Sequence, residues 1–96
     1  MDVFKPQPPA VITVVHAPVC HFCDDVQAAL AELAREFPMS IDRVRIDQPR
    51  GAALLHEHRA GMYPLVLLDG TFFSVGRLPR KKLRKQLEAR FPAAVA

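Results

Sequence analysis

The sequence predicts one α/β domain with the element order β-α-β-α-β-β-α. Three observations carry that prediction. A β-branched run, Val11-Ile12-Thr13-Val14-Val15, is followed by a segment whose apolar residues switch to helical spacing. A second strand-then-helix pattern occupies residues 41–60. Asp69-Gly70 then divides two apolar runs in the manner of a tight hairpin turn.

The first run is short, rich in Val and Ile and bounded by prolines on both sides, which suits a buried central strand. From Cys20 onward Val26, Leu30, Leu33 and Phe37 recur at three or four residues. Ala28, Ala29, Ala31 and Ala34 add helix propensity, so a helix of about four turns is expected, ended by Pro38. Ile41, Val44 and Ile46, with Arg43 and Arg45 between them, predict a second strand ending near Asp47. Pro49 can open a shorter helix through Ala52, Ala53, Leu54 and Leu55, with Gly61 as its stop after Ala60. Leu65 to Leu68 and Thr71 to Val75 are the hairpin strands, and Gly76 breaks the second. Pro79 suits the first turn of a last helix whose apolar positions Leu83, Leu87 and Phe91 fall four apart.

Ninety-six residues, half of them hydrophobic, allow one core and no second domain. Residues 1–10, with Pro6, Pro8 and Pro9, read as a flexible lead-in, residues 11–91 as the domain, and residues 92–96 as a tail. No apolar stretch is long enough to span a membrane, and the first residues lack the pattern of a secretory signal, so the cytoplasm is the expected location. The net charge of +3 is mildly basic, and much of the excess lies between Arg80 and Arg90. Arg80, Lys81, Lys82, Arg84 and Lys85 surround Leu83 and Leu87 as the wet face of an amphipathic helix does. That segment has no aromatic residue interleaved for base stacking, because Phe91 falls on the core spacing. No nucleic-acid partner is therefore expected, and an acidic redox partner is the better match to these charges.

Cys20 and Cys23 are the only cysteines and are spaced Cys-x-x-Cys. At the start of a helix, residues three apart share a face within disulfide reach, and the free backbone N–H groups stabilise a thiolate. Cys20, the more exposed, is the expected nucleophile, and Cys23, one turn deeper, the resolving thiol. Other readings stay open. Both could be ordinary buried thiols, and His16, Cys20, His21 and Cys23 are four metal ligands within eight residues. A closed zinc site would need a second pair, and His56 and His58 splay apart at i,i+2 on a helix, so no metal site is expected.

A strand ending in a proline two residues before Cys20-His21-Phe22-Cys23, then Tyr63-Pro64 before a hairpin, then Gly76 before a last helix, resembles glutaredoxin over residues 11–91. The resemblance implies the thioredoxin-like fold, with a four-stranded mixed sheet flanked by helices and Pro64 in the cis form facing the cysteines. It implies a dithiol thiol–disulfide oxidoreductase that carries no cofactor. The substrate would be a disulfide in a protein or small thiol, bound through the backbone at Tyr63 and Pro64 and beside Gly76 and Arg77. The reductant would be glutathione, another small thiol or a reductase, and the expected state is a monomer with neither nucleic-acid nor membrane partner. A carrier of a metal or iron–sulfur centre on the same cysteines is the alternative.

Several positions depart from the family pattern. Glutaredoxins commonly have Pro-Tyr between the cysteines and a lysine three residues before the first, whereas this chain has His21-Phe22 and Ala17. Asp24 and Asp25 favour the helix start but oppose a nearby thiolate, so Cys20 is expected to be less acidic than in typical relatives. His21, or His16, can compensate when protonated. Arg77 stands after Gly76 where a glutathione-using relative tends to have small or acidic residues. The thioredoxin motif Trp-Cys-Gly-Pro-Cys is absent, and the chain has no tryptophan.

Overall fold

The computed structural model describes residues 7–95. The elements are β1 (Ala10–His16), α1 (His21–Leu33), β2 (Met39–Arg45), α2 (Pro49–Glu57), β3 (Leu65–Leu68), β4 (Thr71–Val75) and α3 (Arg80–Arg90), followed by a 3₁₀ turn at Pro92–Val95. The sheet order is β2-β1-β3-β4. β1 runs parallel to β2 and antiparallel to β3, and β3 pairs antiparallel with β4, so the sheet is mixed as expected.

Burial on both faces explains why β1 carries apolar residues on both, with Thr13 the polar exception: Ile12, Val14 and Val15 have no exposed surface. On one face α1 and α3, with Phe91 just after α3, lay Val26, Leu30, Leu83, Leu87 and Phe91 against Ile12, Val14, Val66 and Phe73. On the other, Leu54 and Leu55 of α2 pack against Val15, Val44, Leu65 and Leu67. The β1-to-α1 loop, the start of β3 and the end of β4 therefore share one end of the sheet, because Val15 pairs with Leu65 and Leu65 with Val75.

Several boundaries differ from expectation, β2 among them, which runs Met39–Arg45 in place of Ile41 to near Asp47. β1 begins at Ala10, which is fully buried and donates its N–H to the Pro38 carbonyl at 3.0 Å. Of the expected lead-in, residues 1–6 lie outside the described residues, while the Pro8 and Pro9 carbonyls accept hydrogen bonds from Arg90 at 3.1 and 3.4 Å. α1 ends at Leu33, four residues before Phe37. The chain tightens through Arg35 N–H to Glu32 O and Glu36 N–H to Leu33 O, and still buries the Phe37 ring.

α2 ends at Glu57 without using Gly61. Arg59 takes the left-handed conformation, φ 50°, that a glycine usually supplies. Ala60 N–H bonds to Leu55 O and Arg59 N–H to His56 O, which satisfies the last carbonyls in a Schellman turn, with Ala60 and Leu55 in the same apolar cluster. Pro79 is the N-cap of α3 and lies outside its first turn.

Candidate active site

Val19, with φ 50° and a fully exposed side chain, turns the chain after β1 so that Cys20 becomes the N-cap of α1. A β-branched residue disfavours that backbone conformation, so strain is concentrated next to the cysteines. Cys20 Sγ accepts the Cys23 N–H at 3.1 Å, the bond that a serine or aspartate side chain makes at an ordinary N-cap. Cys20 Sγ therefore sits on the positive end of a helix, a place that favours negative charge on sulfur.

Cys20 and Cys23 form a disulfide with their Cα atoms 5.1 Å apart, inside the normal range for the bond. Cys23 is 1% exposed and Cys20 is half-buried, so Cys20 is the more exposed of the two. Among the described residues, no three His, Cys, Asp or Glu side chains are grouped to hold a metal ion.

The other candidate positions gather at the same end of the sheet. The Tyr63–Pro64 peptide bond is cis, with Pro64 buried and Tyr63 exposed. Gly76 donates its N–H to the Pro64 carbonyl at 2.9 Å and has φ +77°, a conformation a side chain would strain. A Cβ on Gly76 would lie 3.2 Å from Met62 Cε, so the Met62 thioether covers this glycine. Arg77 is exposed just beyond it. His21 is exposed and its ring lies 6.0 Å from that of Phe22, tilted by 51°. His16 is half-buried at the end of β1.

One charged group at the site is not evident from sequence order. Arg80 opens α3, yet its guanidinium lies 2.6 Å from the carboxylate of Asp25, two residues after Cys23. The charge that Asp25 brings to the cysteine turn is thus offset by a cation fifty-five positions away. No local motif marks such a pair, and Arg80 reads in the sequence as one of several solvated cations. Arg84 likewise reaches back to the turn after α1, pairing with Glu36 and holding its carboxyl below the ordinary value.

With this geometry in place, solved structures give an answer about architecture. A mutant thioredoxin from Halobacterium salinarum shares 20% identity with this chain, covering 86% of it and 75% of its own length at a TM-score of 0.65. A thioredoxin-like protein from Clostridium perfringens gives 16%, 88%, 73% and 0.66, and oxidised mitochondrial thioredoxin 3 from Saccharomyces cerevisiae gives 18%, 86%, 80% and 0.63. The chain has a thioredoxin fold. No family model matches the sequence, and no curated protein matches it either. On the thioredoxin fold, a Cys-x-x-Cys disulfide at the start of α1 supports thiol–disulfide oxidoreductase chemistry. No described helix is long and apolar enough to cross a membrane.

Proposed function

We propose that this chain is a dithiol thiol–disulfide oxidoreductase of the glutaredoxin-like kind. The observation that carries the reading is the Cys20–Cys23 disulfide across the first turn of α1, with Cys20 partly exposed and Cys23 buried. In the reduced protein the Cys20 thiolate attacks a substrate disulfide, forming a mixed disulfide and expelling one substrate thiolate. The Cys23 thiolate then attacks Cys20 Sγ, which releases the second substrate thiolate and restores the intramolecular disulfide. Two electrons pass from the dithiol to the substrate, and each expelled thiolate takes up a proton.

Tyr63 and Pro64 line up substrate backbone beside Cys20, and Gly76 and Arg77 border the same site. His21, exposed next to the nucleophile, stabilises the thiolate when protonated. A dithiol that must be re-reduced after each turnover suits a reducing compartment such as the cytoplasm. The test is reduction of the oxidised protein by glutathione compared with a thioredoxin-reductase system, followed by thiol counting. Return of two thiols per chain with a preference for glutathione or another small thiol supports the glutaredoxin-like reading. Preference for the reductase moves the chain to the thioredoxin branch, and a protein that never regains its thiols rules out both.

A further inference from the structure

The cations on and just before the last helix differ in what holds them, Lys82 lying over the Phe73 ring. Arg80, Arg84 and Arg90 are engaged by Asp25, by Glu36 and Glu88, and by Asp69. Arg77, Lys81 and Lys85 are exposed, and no ion pair among the described residues engages them. These three recur every four residues. Lys81 and Lys85 therefore share one face of α3 about 6 Å apart along its axis, with Arg77 leading into that face from the loop.

Two further features raise the positive potential there. The first turn of α3 holds Arg80, Lys81 and Lys82 and no acidic residue, and Pro79 supplies no side-chain cap. The helix dipole is also positive at this end, so these charges oppose folding of the helix and reinforce one another toward solvent. The stripe begins at the redox end of the molecule, because the Asp25–Arg80 pair holds the start of α3 against the start of α1, whose N-cap is Cys20. Around that point Val19, Phe22, Met62 and Tyr63 are exposed.

We propose that Arg77, Lys81 and Lys85 dock an acidic segment of the polypeptide whose disulfide Cys20 attacks. The inference rests on the oxidoreductase reading and adds the chemical class of the substrate. In an extended peptide, side chains on one face recur about every 7 Å, so Asp or Glu at alternate positions matches the lysine spacing. A nucleic acid is a poorer match, since Phe91 and Phe73 are buried, Phe73 beneath Lys82, and the exposed rings of Phe22, Tyr63 and Phe72 belong to other elements and do not interleave with Lys81 and Lys85.

Binding is measured on the oxidised full chain by fluorescence anisotropy, with labelled peptides sharing one cysteine-to-serine core flanked by acidic or basic residues. The acidic peptide should bind about tenfold tighter at low salt, the gap closing at high salt. The double variant Lys81→Glu, Lys85→Glu should reverse the preference while its disulfide is reduced by dithiothreitol at the wild-type rate. Equal binding of the two peptides, an unchanged preference in the variant, or displacement of the acidic peptide by an equally charged single-stranded oligonucleotide would each overturn the proposal. The binding assay needs no turnover. Failure of the reductase reading is seen in thiol counting, and failure of docking is seen in anisotropy.

Discussion

Replacing Gly51 by alanine should destabilise this protein, although the same change in most helices does the opposite. Gly51 lies in the first turn of α2, where alanine is favoured over glycine by up to about 1 kcal/mol. Here an added Cβ would stand 2.1 Å from the Arg45 carbonyl oxygen and 2.9 Å from the Arg45 carbonyl carbon. Both are backbone atoms of β2, so no side chain can swing aside, and α2 must lift by roughly 1 Å from its cluster with Val15, Val44, Leu65 and Leu67. Overpacking of this kind costs about 3 kcal/mol at the upper end of its range. Subtracting the propensity gain leaves a net loss of about 2 kcal/mol, or a fall in Tm of about 8–16 °C for a domain of this size. Urea and thermal unfolding followed by circular dichroism measure it. Gly61→Ala is the control, since nothing lies within 4 Å of its Cβ position, and it should stay within about 0.5 kcal/mol of wild type. A Gly51→Ala protein as stable as wild type would refute the close approach of α2 to β2.

Two further predictions concern charge. Arg80→Gln removes a cation near the cysteine turn and should raise the Cys20 thiol pKa, whereas Asp25→Asn removes an anion and should lower it. Solvent screening keeps each shift to a fraction of a unit, read from thiolate absorbance against pH in the reduced protein, and a shift of the opposite sign in either variant would refute the reasoning. Asp69 accepts the Val11 N–H at 3.0 Å and pairs with Arg90, which together hold its carboxyl below the ordinary value of 3.8. A depressed folded-state value gives stability that is present above 3.8 and lost as pH falls through the lower folded value. Asp69→Asn should therefore unfold at lower urea than wild type at neutral pH, with the difference vanishing in strong acid; a difference that is constant with pH would contradict it.

Much of the fold is legible because local signals agree with tertiary ones. The β-branched run before Cys20, the Asp69-Gly70 turn and the four-residue spacing of Leu83, Leu87 and Phe91 each specify one element, and each forms. The Cys-x-x-Cys pair is legible for the same reason, since its spacing and its place at a helix start are both local. What escapes the sequence depends on distant partners or on residues acting out of type. Arg59 does a glycine's work at the end of α2, and Val19 takes a left-handed conformation beside Cys20. Ala10 joins β1 because Pro38 and β2 lie beside it. Arg80 looks like its neighbours until the packing of α1 against α3 places it on Asp25.

Trapping distinguishes a Cys20 that attacks from a Cys23 that resolves. Cys23→Ser, incubated with a protein disulfide and analysed by non-reducing mass spectrometry, should accumulate a mixed disulfide at Cys20, while Cys20→Ser should accumulate none. Adducts on Cys23 in the Cys20→Ser variant, or no adduct in either, would contradict the account.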